Sequence, residues 1–374
     1  MNFEEHVAKA EFAAAGIAVP DGRLVASPAE AEAAARVLGP VAVKAQVAAG
    51  KRGKAGAIAL ADTPAEAGAA AGRILGMTLG AHRVERLLVE KRIAIARELY
   101  AAVLNDPASK GPLVLFSTLG GMDIEEAAAR DPKAVRRHAV DILKGFAAAD
   151  ADTMLADLDL GQAQAPLAGL LVRLYDFYRA RDAELVEINP LALARSGELI
   201  ALDGKLALDD GALPRQEALA KLGIAEPLTG LEARGRAAGL RFIELDGDIG
   251  ILANGAGLTM TTMDAVKHYG GKPANFLEIG GDAYTQAKPA LELVLANPNV
   301  RSLVVNFCGA FARTDVMAEG VVKAWEDLRP NIPVFFSIHG TGEEEAIRLV
   351  KDRLGIEPFD SMDDAVRAAV GASR

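Results

Sequence analysis

From about residue 240 onward, four short apolar runs recur along the chain: "DIGILAN", "ANFLEI", "VRSLVVNF" and "IPVFFSI". Each passes into a loop ("GAG", "GGDA", "CGAFARTD", "HGTGEEE") and then into a helical pattern. Strands apolar on both faces and alternating with helices predict a doubly wound parallel sheet. Ligands of such sheets bind beyond the carboxyl ends of the strands. All four loops belong to that edge.

The first hundred residues read differently. "SPAE" at Ser27 and "TPAE" at Thr63 are capping boxes, each opening an Ala-rich helix with proline at its first position. Between them "VAVKAQV" (41–47) reads as a buried strand. "RLLVEKR" (86–92), "RELYAAVLN" (97–105) and "PLVLFSTL" (112–119) read as strands, the last two as antiparallel neighbours. Helical periodicity appears over 131–146 and 166–182, joined by a polar, Ala-rich stretch. "AELVEINPLAL" (183–193) and "GELIALDGKLALDD" (197–210) flank "ARSG", a hairpin signal. In that hairpin Glu187 and Asn189 share one strand face, and Asp203 and Lys205 share a face of the partner strand. A tip near Ser196 sets Asn189 opposite Asp203. Residues 211–240 read as a connection between two domains.

Composition narrows the classes. Hydrophobic residues make up 51% of the 374, aromatics only 5%, so the cores rest on Leu, Ile, Val and Ala. The formal net charge of -10 argues against nucleic acid or an anionic membrane as the main partner. A single cysteine, Cys308, excludes an intrachain disulfide and a cysteine-rich metal site; it reads as a small core residue. The polar start "MNFEEHVAKAEF" shows no signal peptide, and no apolar run approaches the ~18 residues of a membrane helix. A soluble cytoplasmic protein is the expectation.

Against that acidic background, "VKAQVAAGKRGKAG" (43–56) gathers Lys44, Lys51, Arg52 and Lys54 among three glycines. Such a loop can fold lysines and backbone N–H groups around a phosphate. It is not a Walker A sequence, and a solvated basic turn is the plain alternative. Glu187, Asn189 and Asp203 offer hard oxygen ligands suited to Mg²⁺ on a nucleotide, or else form an ordinary polar hairpin face. "ILANGAGLTMTTMDAV" (251–266) places a helix N-terminus, which attracts anions, at a strand end, although its glycines also suit a tight connection. Arg313 in "FCGAFARTD" belongs to the same edge and can grip a carboxylate. The five histidines show no metal-ligand spacing; His339, at a strand end, is the one placed to matter.

In combination the motifs are far more specific. "VKAQVAAGKRGKAG", "LVEKRIAIARELY", "LVEINPLAL", "LDGKLALDD", "NGAGLTMTTMD" and "GGKPANFLEIGGDA" occur in this order, and over its whole length the chain resembles the beta subunits of succinate–CoA ligase (succinyl-CoA synthetase). The resemblance implies an α+β ATP-grasp domain over about 1–230 and a flavodoxin-like α/β CoA-ligase domain over about 240–374. It implies nucleotide contacts at Lys44, Lys51, Arg52, Gly53, Glu90, Ile93 and Glu98, and Mg²⁺ ligands at Asn189 and Asp203. Glu187 matches the acid that orients a phosphohistidine on the partner subunit, and Asn254, Ala310, Phe311 and Ala312 match carboxylate-substrate positions. The implied substrates are ATP or GTP, CoA and a small carboxylic acid. The implied partner is an alpha subunit that carries the histidine and the CoA site, since nothing here resembles that histidine's Gly-His-Ala-Gly context. The implied place in metabolism is the tricarboxylic acid cycle.

Four departures qualify the acid. The family has glycine at Lys51, Gly-Gly-Ile-Val-Arg at Gly309 to Arg313, a third glycine at Asp282 and glutamate at Leu119. Phe311 adds bulk and Asp282 charge near the expected carboxylate site, so malate, itaconate, citramalate or a citrate-like acid stands beside succinate. A nucleotide-binding regulatory subunit without turnover is the reading from another class.

Overall fold

The computed structural model describes residues 1–47, 52–80, 82–224, 228–280 and 286–373. It divides into two compact units, Met1–Glu226 and Pro227–Arg374. In the first, a four-stranded antiparallel sheet runs in the order Gly22–Val25, Leu87–Lys91, Val41–Ala45, Ile58–Ala61. Its core is alanine-rich because helices Pro28–Leu38 and Pro64–Ile74 lie against it and each other, closely enough that small side chains fill the gap. Both helices start as the sequence predicts. Thr63 accepts from Glu66 N while the Glu66 carboxylate takes Thr63 N, a full capping box. Ser27 accepts from Glu30 N, but the Glu30 carboxylate takes Ala26 N instead. Each cap contributes about 1 kcal/mol.

A larger antiparallel sheet has the long strand Ala183–Ala194 near its centre, paired with Ile95–Asp106 on one side and with Leu199–Ala201 and Gly204–Leu208 on the other. Gly111–Ser117 and Val135–Ala139 continue it outward from Ile95–Asp106. Helices Glu5–Ala14 and Gln164–Ala180 share its apolar core, where Phe12 meets Phe177 edge-on.

Two expectations fail here. No helix covers 131–146. Asp131 caps a single 3-10 turn over Pro132–Ala134, and Val135–Ala139 is an edge strand on Gly111–Ser117. That strand satisfies ladder groups its neighbour would otherwise leave open, and this outweighs helix propensity. The stretch that follows is not wholly irregular, since Ala148–Leu155 is helical. The second hairpin strand is also broken, at Leu202 and Asp203. There the Leu202 carbonyl leaves the ladder and accepts from the ammonium groups of Lys9 and Lys44.

The second unit is a five-stranded sheet ordered Phe242–Glu244, Asn275–Ile279, Ile249–Asn254, Ser302–Gly309, Val334–Gly340. The last four strands are parallel, and the order of their first members reverses at Ile249–Asn254, as in flavodoxin-like sheets. The first strand is an antiparallel edge too short for its periodicity to be read in sequence. Helix Gly230–Ala237 belongs to this unit, with Gly235 packed on Phe242. At the carboxyl edge, Thr341 N donates to Gly309 O, and Thr314 N to Thr341 O. Gly340 has φ +94°, and a Cβ there would lie 2.0 Å from Gly309 O. Gly340→Ala is therefore expected to destabilise this unit by about 2–4 kcal/mol, through left-handed backbone strain and steric overlap. A urea-unfolding midpoint equal to wild type would contradict this packing.

Candidate functional site

The first unit buries six charged side chains in one cluster. Helix Glu5–Ala14 brings Glu5 and Lys9, strand Val41–Ala45 brings Lys44, and strand Leu87–Lys91 brings Glu90. Arg52 comes from the glycine loop and Asp203 from the break in the hairpin strand. Lys44 Nζ lies 3.0 Å from Glu5 Oε1 and 2.7 Å from Glu90 Oε2. Arg52 reaches Glu5 Oε2 at 2.8 Å and Asp203 Oδ1 at 2.6 Å. Lys9 is 2.9 Å from Glu5 and also pairs with Glu90. Five of the six are nearly inaccessible; the Asp203 side chain is 28% exposed.

Burial and charge pull against each other in this cluster. Burial pushes the Glu5 carboxyl up, but Lys44, Lys9 and Arg52 together hold it far below the usual carboxylate range. Burial pulls Lys44 down, and Glu5, Glu90 and Asp203 outweigh it and raise it. Arg52 is raised in the same way by Glu5 and Asp203. For Lys9, burial wins and its value falls. Asp203 moves up, through burial and then the nearby Glu5 charge, with Arg52 opposing. For Glu5, Lys44 and Arg52 the ion pairs thus outweigh the desolvation cost, whereas for Lys9 and Asp203 they do not.

Two clefts open on the cluster. One, about 450 Å³, is lined by Arg52, Gly53, Glu187, Asn189 and Asp203 among others. The second, about 760 Å³, is lined by Lys44, Glu90, Ile93, Glu98 and Asp203. Asp203, Ile58 and Pro190 border both, so the clefts meet at the hairpin break. Lys51 lies outside the described residues.

The hairpin register places Glu187 opposite Lys205, and Asn189 N donates to Asp203 O at 3.2 Å. The Asn189 amide is held by the loop after strand Gly111–Ser117: Gly121 N donates to Oδ1 at 2.8 Å, and Nδ2 donates to Met122 O at 3.0 Å. That loop needs glycine twice, for different reasons: a Cβ on Gly120 would lie 2.2 Å from the backbone Leu99 O, and Gly121 adopts the left-handed φ of +68°. Glu187 is half-buried. Burial raises its carboxyl above the ordinary value; Lys205 opposes, while Asp203 and Glu125 add to the rise.

At the carboxyl edge of the second unit, Asn254 ends its strand with both amide atoms engaged. Nδ2 donates to Cys308 O and Oδ1 accepts from Cys308 N, each at 2.8 Å. Gly255, at φ +83°, turns the chain into helix Ala256–His268. Ala310, Phe311 and Ala312 form the loop beyond Ser302–Gly309, with the Phe311 ring fully exposed. Arg313 is not a free carboxylate clamp: its guanidinium forks onto Asp315, at 3.0 and 2.8 Å. Cys308 is exposed, against its reading as a core residue, because the strand runs past the sheet core before it ends. His339 lies beside it in register and is also exposed. Asp282 lies outside the described residues.

Sequence reasoning overlooked Glu5, Lys9 and Gln46, and also Gly120 and Gly121. The signal for the first pair was present. Positions 5, 8, 9 and 12 share a helix face, and Ala8 and Phe12 mark that face as buried, so the two charges on it had to be paired.

Comparisons with known proteins bear on the family and the fold. The ATP-grasp domain family matches residues 2–193 and the CoA-ligase family residues 252–370. The beta subunit of succinate–CoA ligase (ADP-forming) from Rubrobacter xylanophilus is 42% identical over 379 residues, covering 100% of this chain and 99% of that one. The beta subunit of succinate–CoA ligase (GDP-forming) from Thermus thermophilus is 42% identical over 355 residues, 94% of each. Among solved structures, ATP citrate lyase from Methanothrix soehngenii in complex with citrate and coenzyme A matches with a TM-score of 0.71 at 24% identity, over 99% of each chain. That last match is a likeness of fold.

Proposed function

The chain belongs to the succinate–CoA ligase beta-subunit family, and we propose from that premise that its first unit binds a magnesium–nucleoside triphosphate and exchanges its terminal phosphate with an alpha subunit. The observation that carries this reading is the 2.6 Å pair between Arg52 and Asp203, which joins the cationic loop to the hairpin between the two clefts. Lys44 and Arg52 draw the phosphates, as buried cations whose present partners are carboxylates that phosphate oxygens can replace. Glu90, Ile93 and Glu98 line the larger cleft and take the base and ribose.

Asn189 and Asp203 fit Mg²⁺, being hard oxygen donors from a strand and from the facing strand break, joined by the Asn189 N to Asp203 O backbone bond. Among the described residues no group of three or more His, Cys, Asp or Glu is arranged to hold a metal, so the ion depends on these two and on the nucleotide's own oxygens. Bound there, it neutralises charge on the phosphates. Glu187 sits in the same cleft, keeps its proton to higher pH than an exposed glutamate, and orients the partner's phosphohistidine by hydrogen bonding.

The acid occupies the edge of the second unit at Asn254 and the Ala310–Ala312 loop, where helix Ala256–His268 turns its positive end outward. CoA is held by the alpha subunit. Phe311 stands free of the sheet and narrows the choice among short dicarboxylates. Relatives of equal identity are named for ADP and for GDP, so resemblance alone does not choose the base.

The test uses the complex co-purified with its alpha subunit. Thioester formation is measured with ATP and GTP against succinate, malate, itaconate, citramalate and citrate. Turnover of at least one short dicarboxylate is expected, with Phe311 shifting the preference by a factor of about 10–100. Strong preference for succinate alone defeats the altered pocket, and no thioester from any of these acids defeats the ligase reading.

A further inference from the structure

We propose that Lys9 is a positioning residue of the nucleotide site: it neutralises Glu90 and so leaves Lys44 and Arg52 able to exchange carboxylate partners for phosphate. The proposal rests on the nucleotide reading above. Lys9 borders neither cleft, and its side chain is 5% exposed, so it does not touch the ligand. Its three partners nevertheless all belong to the site. Nζ lies 2.9 Å from Glu5 Oε1 and 2.6 Å from Leu202 O, and it pairs with Glu90 Oε1. Glu5 and Glu90 are the two carboxylates that also hold Lys44. Leu202 O is shared by the two ammonium groups and immediately precedes Asp203.

The charge count gives the direction of the effect. With Lys9 the cluster has three cations (Lys9, Lys44, Arg52) against three carboxylates (Glu5, Glu90, Asp203). Without it, two cations face three buried carboxylates. Lys44 is then held harder by Glu5 and Glu90, and the site carries a net negative charge where a polyphosphate must enter. Both consequences oppose nucleotide binding, and in a poorly solvated cluster neither is screened. Glu90, deprived of one ammonium, also loses the contact that fixes its carboxylate at the wall of the larger cleft.

Mg-ATP and Mg-GTP are titrated into the full-length chain by calorimetry, and KM values are measured in the complex with its partner. Lys9→Met is expected to weaken nucleotide binding about tenfold or more, as expected for truncating one member of a buried charge pair. KM for the acid and for CoA should stay within about twofold, since their sites are not involved. Lys9→Arg keeps the charge and should bind within about threefold of wild type. A Lys9→Met chain that melts lower but binds nucleotide as wild type overturns the proposal, because that is a purely structural role. In case the single variant does not fold, the charge-balanced comparison of Glu90→Gln with Lys9→Met/Glu90→Gln decides. With no Glu90 charge to neutralise, adding Lys9→Met should change affinity by less than about threefold, and a tenfold loss there overturns the proposal. If wild type binds neither nucleotide, the nucleotide reading itself fails and the proposal with it; wild-type binding with unaffected variants removes Lys9 alone.

Discussion

Glu187→Gln is expected to slow phosphoryl transfer by a factor of about 10²–10⁴, the usual contribution of a positioned acid–base or orienting carboxyl group. The amide nearly matches the carboxyl in size, so the cleft keeps its shape while losing the ability to carry the charge or the proton. Labelled ATP or GTP incubated with the complex reads the step directly, as label retained on the partner subunit. A regulatory module would be indifferent to this substitution, so labelling at the wild-type rate would favour that reading over catalysis. The same variant has a second signature. The Glu187 carboxyl is raised above 4.5 by burial. Well below that value it is protonated in folded and unfolded chains alike, and adds nothing to the pH dependence of stability. As pH rises through the raised folded value, the unfolded chain releases its proton more readily, and stability falls until the group is fully ionised. Glutamine has no proton to lose. The variant should therefore melt above wild type at pH 7 and lose that advantage near pH 4. Equal melting at both would mean that the carboxylate is solvated and unperturbed.

The chain without its partner is expected to form no detectable thioester, and addition of the alpha subunit should restore turnover. Among the described residues no histidine borders either cleft. His6 is held by Gln46, His138 packs on Phe146 and His268 on Tyr269. His339 belongs to the second unit, at a sheet edge. None of the described histidines is placed to carry a phosphoryl group at these clefts, which is why the partner is expected to supply the carrier. Nucleotide binding, by contrast, should survive isolation, because Lys44, Arg52, Glu90 and Asp203 are all brought together within residues 1–226. Full ligase activity from the purified single chain would overturn this division of labour.

Much of the architecture was legible because its signals are local. The four Val- and Ile-rich runs after residue 240 are buried on both faces and read as parallel strands without ambiguity. The cap at Ser27 and the capping box at Thr63 mark the starts of their helices to the residue. The pairing of Asn189 with Asp203 followed from period-two alternation and one hairpin tip. What escaped was set by distant partners. Val135–Ala139 became a strand because Gly111–Ser117 needed an edge neighbour. The hairpin strand broke at Leu202 because two ammonium groups, from residues far away in sequence, required its carbonyl. Arg313 looked free until Asp315 was seen to hold it. Glu5 and Lys9 stand in a stretch whose composition reads only as polar. Their role emerges only once the helix face carrying Phe12 is known to be the buried one.

The two hydrogen bonds between Asn254 and the Cys308 backbone also bear on how the protein ages. Asparagine followed by glycine is the dipeptide most prone to deamidation, in which the next backbone nitrogen closes on the side-chain carbonyl to give a succinimide. Here both amide atoms are tied to the neighbouring strand, and closing that ring requires those two bonds to break first. The tie that holds the strand end thereby also slows the chemical clock that would turn Asn254 into aspartate or isoaspartate.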